Sequence, residues 1–189
     1  MLTDWRSYHG SHQADEFDQA PCTRFTPQQS GHSRHHTPDY YVPPIRVAGW
    51  VRIAEDHGDH EFDGIHLHLG HLGNDRNLVA SLVRRDGQAV LSREYGWRGY
   101  DDMDRIADGP EFLEQRVYMV RVDWWENHLS AVVADWTGTW TLSGDIPLTA
   151  ETGPHAGTHR PVIPAGAVGV RGDNVTLQAG LVVRALPIQ

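Results

Sequence analysis

Between Phe62 and Tyr95 the chain reads FDGIHLHLGHLGNDRNLVASLVRRDGQAVLSREY. Three runs of strand-forming residues are separated by two turn signals, GHLGND and RDGQ. The second contains Asp86-Gly87, the strongest short hairpin signal in the chain. In the first run Ile65, Leu67 and Leu69 alternate with His66 and His68. Side chains alternate across a strand with a period of two, so the aliphatic set faces a core and two imidazoles face away together. LVASLVRR is nearly continuous in apolar residues, as a strand inside a sheet should be. AVLSREY then places Ala89, Leu91, Arg93 and Tyr95 on one face and Val90, Ser92 and Glu94 on the other.

The same period governs the rest of the chain. IRVAGWVRIA (45–54) sets Val47, Val51 and Ile53 against Arg46, Trp50 and Arg52. VYMVRVDWWENHLSAVVADW reads as a hairpin turning at Glu126–His128, with Tyr118, Val120, Val122 and Trp124 on one face and Val117, Met119, Arg121 and Asp123 on the other. The closing segment predicts two strands, Ala167–Arg171 and Val175–Arg184. Residues 96–115 are rich in Gly and Asp and predict a long loop with one helical turn around Asp102–Ala107; residues 137–164 predict a connection with one short strand. Residues 1–44 predict an extended arm packed on a domain spanning 45–189, with an edge strand near Cys22–Thr26. Strands at regular spacing, with almost no helix, imply an all-β, two-sheet antiparallel sandwich or barrel.

Composition narrows the chemistry. All sixteen basic residues are arginine, which excludes Schiff-base catalysis, a pyridoxal phosphate anchor and a phosphate-loop lysine. A formal charge of −9 argues against nucleic-acid binding. The single Cys22 rules out an internal disulfide. No apolar run approaches the ~18 residues of a membrane span, and the first residues lack the apolar stretch of a signal peptide. The expected location is cytoplasmic.

Three segments together resemble the concanavalin A-like lectin/glucanase (jelly-roll) superfamily: IHLHLG followed by LVASLVRRDG, the hairpin VYMVRVDWWENHLSAVVAD, and GAVGVRGDNVTLQAGLVV. The last is similar to the family's closing G-x-V-G-L-R-x-D-N segment. The resemblance covers residues 45–185. It implies two curved antiparallel sheets, the concave one forming a groove that holds sugars in many members. It does not imply one activity, because the fold hosts lectins, hydrolases, lyases and structural modules. The E-x-D-x-x-E strand of the retaining glucanases is absent. Arg93-Glu94-Tyr95 and His66-Leu67-His68 are only loosely similar to the lyase motifs, so no catalytic role is carried over from them.

The expected site follows from the outward faces. His66, His68 and Tyr95 are the candidate proton-transfer groups, with Arg46, Trp50, Arg52, Arg93, Arg121 and Asp123 as substrate-binding residues in a concave groove. Arginine and imidazole suit a sugar-like or acidic small molecule or glycan and a lyase- or isomerase-type reaction. The alternatives are a non-catalytic glycan-binding module and a secondary-metabolite cyclase. Arginines on strand faces are also commonly paired across strands, and His-x-His on a strand can begin a metal site. No cofactor is expected, apart from a structural Ca²⁺ that Asp15, Glu16 and Asp18 could hold with Asp173. The HSRHH cluster at 32–36 predicts a solvated loop, with metal binding as the alternative, and Arg171-Gly172-Asp173 predicts fold punctuation.

Overall fold

The computed structural model describes residues 1–28, 31–72, 76–95, 100–150, 156–159 and 162–187, without the side chains of Arg76 and Tyr95. Among them are fourteen strands and no helix: β1 (Arg6–His9), β2 (Ser11–Phe17), β3 (Ala20–Thr26), β4 (His32–His36), β5 (Ile45–Asp56), β6 (Gly64–His71), β7 (Arg76–Arg84), β8 (Ala89–Tyr95), β9 (Tyr100–Ile106), β10 (Val117–Trp125), β11 (His128–Ala134), β12 (Thr139–Asp145), β13 (Ala167–Asp173) and β14 (Val175–Ala185). They form two seven-stranded antiparallel sheets. The first has the order β1-β4-β13-β6-β7-β8-β9 and the second β12-β11-β10-β5-β14-β3-β2. This is the expected jelly-roll sandwich.

The period-two patterns build the layer between the sheets. Ile65, Leu67, Leu69, Leu78 and Leu91 from the first sheet meet Val47, Val51, Ile53, Tyr118 and Trp124 from the second, all fully buried. Each such side chain contributes about 1.5–3 kcal/mol by leaving water. β6, β7 and β8 are neighbours in chain order, and Gly87 takes the left-handed backbone (φ 74°) that the Asp86-Gly87 turn requires.

Three segments differ from expectation. Residues 6–36, read as an arm with one edge strand, supply four strands. β4 pairs with β13, and the β2–β3 hairpin pairs with β14 through β3. HSRHH is therefore a strand: Arg34 and His36 face outward from the sandwich, while Ser33 and His35 turn inward, where His35 packs on Phe25 at 4.9 Å. Its polar composition hides the pattern, because both of its faces are covered by other chain segments. Residues 100–106 form β9 instead of a helical turn. The strand closes the far edge of the first sheet on β8, and its aspartates keep that edge from pairing further. The following segment is held by the buried Tyr118, whose hydroxyl donates to the Glu111 carbonyl (2.6 Å) and accepts from the Leu113 amide (3.0 Å).

Candidate functional site

The outer face of the first sheet is concave and holds a groove of about 660 Å³. The strand register sets its floor in rows. Arg171 of β13 pairs with His66 of β6, His66 with Ser81 of β7, and Ser81 with Val90 of β8. In the next row His68 pairs with Val79, Val79 with Ser92, and Ser92 with Asp102 of β9. Phe62, 45% exposed, and Tyr100, 58% exposed, stand at the rim.

Among the described residues, every groove arginine has an aspartate two or three residues away in sequence. Arg84 pairs with Asp86, Arg105 with Asp102, and Arg171 with Asp173 through Nε (2.7 Å) and Nη2 (2.7 Å). Positions two apart on a strand share a face, so Arg171-Gly172-Asp173 aims both charges into the groove. The Arg84 guanidinium also lies over the Phe62 ring at 4.7 Å. Glu61 and Glu94 line the groove too, so among the described residues its charged lining carries more carboxylates than guanidiniums. This described lining differs from the arginine- and imidazole-lined groove expected for an acidic ligand.

His66 sits at the centre of the floor. Its Nδ1 is 2.8 Å from the Ser81 hydroxyl, and its Nε2 is 3.5 Å from Asp173. Burial pushes its pKa down to about 4, against the opposing pull of the Asp173 carboxylate. Burial alone would raise the Asp173 carboxyl. The hydrogen bond from His32 and the charges of His66 and Arg171 overcome that and hold it well below the usual carboxylate range. The floor at neutral pH is thus an uncharged imidazole beside an ionised, fully engaged carboxylate.

His68 is fully buried beyond the groove lining, packed against the ring of His36, and burial holds it far below its ordinary pKa. Tyr95 ends β8, with its side chain outside the described residues. Arg93 turns toward the sandwich interior and donates to the Pro147 carbonyl at 2.5 Å. Arg46, Trp50, Arg52, Arg121 and Asp123 lie on the second sheet, on the opposite side of the molecule. There Arg46 forms a two-bond pair with Asp123 (2.6 and 2.7 Å), with Arg121 at 3.6 Å from the same carboxylate. Trp50 packs on Phe17 at 5.3 Å, and Arg52 bonds Gln178. Of the expected residues whose side chains are described, His66 alone lines the groove.

Sequence reasoning missed Ser81, Arg84, Tyr100, Asp102, Arg105, Arg171 and Asp173. The alternation signal was present for Arg171 and Asp173, and for Ser92 and Glu94 opposite Leu91. What was lacking was the knowledge of which sheet each outward face belongs to. The expected calcium ligands do not converge: Asp15, on the second sheet, is held by Arg24 (2.8 Å) and Gln178 (2.7 Å), while Asp173 is engaged in the first. No group of three or more His, Cys, Asp or Glu among the described residues is arranged to hold a metal ion.

No protein-family model matches the chain, and no curated protein matches it in sequence. Solved structures do match in shape. A carbohydrate-binding module, CBM66 from Bacillus subtilis, superposes with a TM-score of 0.63 at 10% identity over 97% of each chain. The fold is that of the concanavalin A-like jelly-roll sandwiches. A Bacillus subtilis protein of unknown function with a galectin-like fold gives a TM-score of 0.66 at 14% identity, covering 96% of this chain and 89% of its own. The exoplasmic/lumenal domain of VIP36, bound to Ca²⁺ and Man3GlcNAc, gives 0.62 at 12% identity over 98% and 85%.

These findings correct the expectation of a lyase- or isomerase-type enzyme. Similar structures named for a ligand include a carbohydrate-binding module and a sugar-bound lumenal domain. The chemistry agrees: the two imidazoles do not share the groove, and a ring held near pKa 4 is a weak base at neutral pH.

Proposed function

We propose that the groove binds a glycan without changing it, and that the ligand is a neutral, polyhydroxylated sugar. The observation that carries this reading is the groove's set of three arginine–aspartate pairs, Arg84–Asp86, Arg105–Asp102 and Arg171–Asp173. Each pair offers fixed donors beside fixed acceptors, which suits a hydroxyl that both gives and takes a hydrogen bond. None supplies the surplus positive charge that a carboxylated or sulfated sugar needs. Ser81 and Ser92 add small polar contacts on the floor, and Phe62 and Tyr100 offer ring faces for the apolar side of a pyranose or furanose. Glycan binding in the similar structures supports the reading.

A glycan array followed by calorimetry and a product assay tests it. The expected result is micromolar-to-millimolar binding of neutral oligosaccharides, no product, and loss of binding in Asp173→Ala. Preferential binding of sulfated or uronic-acid glycans, or the appearance of product, overturns it.

A further inference from the structure

Beyond the groove, β4, β13 and β6 carry a second feature that glycan binding does not use. His36 of β4 pairs in register with Gly169 of β13, and Gly169 pairs with His68 of β6. Gly169 has no side chain, and a Cβ there would collide with the His36 ring. The imidazole therefore lies across β13 and reaches β6. It stacks on His71 with ring centroids 3.7 Å apart and planes within 4°, and it meets His68 at 5.8 Å. Tyr8 of the edge strand β1 closes the cluster edge-on, 5.1 Å from His36 and 5.6 Å from His71. Three imidazoles and a phenol thus tie the β1–β4 edge to the interior of the sheet.

This tie depends on charge. His36 is 2% exposed and His68 is fully buried, and among the described residues neither ring has a hydrogen-bond partner at either nitrogen. The groups that face them are mostly cationic or neutral. β4 contributes Arg34, which donates to Asn77 of β7 (2.9 Å) and lies 4.0 Å from Glu94 of β8. β13 contributes Arg171, whose charge is committed to Asp173, and β6 contributes His66. Asn77 Oδ1 also accepts from His71 (3.1 Å). β1 contributes the uncharged Tyr8, and His35 of β4 faces the other way, toward His12 and Phe25. A proton on His36 or His68 would place a cation in a water-excluded cluster beside Arg34, with no carboxylate among the described residues bonded to either ring.

We infer that the His36–His68–His71 stack is an acid-sensitive latch: neutral, it holds the β1–β4 edge closed on the groove sheet, and proton uptake releases that edge. Burial and the neighbouring positive groups lower both His36 and His68. A ring freed from the stack regains its ordinary affinity for protons near pH 6.5. The open form therefore binds protons that the closed form does not, and opening is favoured as pH falls below that value. Each freed ring raises the opening equilibrium by up to about tenfold per pH unit, so two rings give up to about a hundredfold.

Amide hydrogen exchange of the full chain, corrected for the intrinsic pH dependence, tests the latch between pH 7 and pH 5. The β1 and β4 amides are expected to lose protection by at least about tenfold relative to those of β10 and β11, which lie in the other sheet. His36→Phe keeps an aromatic ring on His71 and removes the proton site, so its β1–β4 protection is expected to change less with pH. In the unaltered protein, which needs no variant to fold, the His36 and His68 ring resonances are expected to stay neutral until the edge opens. Equal pH response in β4 and β10, or ring titration near pH 6.5 with β4 still protected, overturns the inference. So does a Zn²⁺ ion retained stoichiometrically through the pH change.

Discussion

The outer faces of the two sheets use much the same residues for different ends. Asp173 on the groove face and Asp123 on the second sheet are equally buried, each 6% exposed, but Asp173 engages Arg171, His32 and His66 at once. On the outer face of the second sheet, Asp123 engages Arg46 and Arg121, whose side chains are 37% and 47% exposed. Trp50 there packs on Phe17, whereas Tyr100 on the groove rim stands 58% exposed. The Arg46–Asp123 pair satisfies itself with two bonds, and its guanidinium stays half-exposed to screening water. The same kind of pair on the floor of a concave face is a fixed array that water reaches from one side only.

The largest contrast should come from the two aspartates. Asp173→Ala leaves Arg171 and the His66 site without their shared carboxylate, and is expected to cost about 3–5 kcal/mol in urea unfolding at pH 7. A cost below about 1 kcal/mol would mean that the groove pair behaves like a surface pair. Next comes pH. His66 takes up its proton at about 4 in the folded chain but near 6.5 when unfolded. The unfolded state thus binds more protons between these values, and stability falls as pH drops from 6.5 toward 4. His66→Gln should reduce this fall by up to about 3 kcal/mol, read from unfolding curves at matched pH values. Parallel curves for the two proteins would place His66 outside that linkage.

A smaller effect separates the aromatic groups. Tyr100→Ala and Phe62→Ala are each expected to weaken neutral-glycan binding about tenfold, or about 1.4 kcal/mol, while Trp50→Ala leaves the affinity unchanged. Calorimetry that finds Trp50 as sensitive as Tyr100 would move the binding face to the second sheet. The smallest effect belongs to Arg121→Ala, which should change stability by less than about 0.5 kcal/mol and leave glycan affinity alone. A larger change in either would show that the outer strip of the second sheet is more than solvated surface.

The sequence made the in-or-out choice legible and left the sheet assignment hidden. Ile65, Leu67 and Leu69 face the core and His66 faces outward, as period two demands. Arg46 and Arg52 also face outward, but a sandwich has two outsides, and nothing local tells β5 from β6 in that respect. The choice is made by strand order: β14 and β10 flank β5, while β13 and β7 flank β6. HSRHH was illegible for a related reason. Its burial comes from β1, β13 and β6, whose contacts are far away in sequence, and the gap that admits the His36 ring is a glycine more than 130 residues later. Arg171 and Asp173 were on the page as a pair on one face. Only the neighbouring rows of His66, Ser81 and Val90 turn that face into the wall of a groove.

The order of strands also bears on how the chain is made. β13 and β14, separated by Asn174 alone, lie inside different sheets. Among the described strands, β4 reaches the rest of its sheet through β13, and the β2–β3 hairpin reaches its sheet through β14. On a ribosome, residues 6–36 would emerge before β13 and β14 and have no lasting partner in the rest of either sheet until residues 167–185 had followed. Neither sheet can close before then, so the early edges must wait until β13 and β14 are made, with their backbone groups exposed. Folding of this chain is set to be late and long-range, and a nascent chain stalled before β13 would be a sticky one.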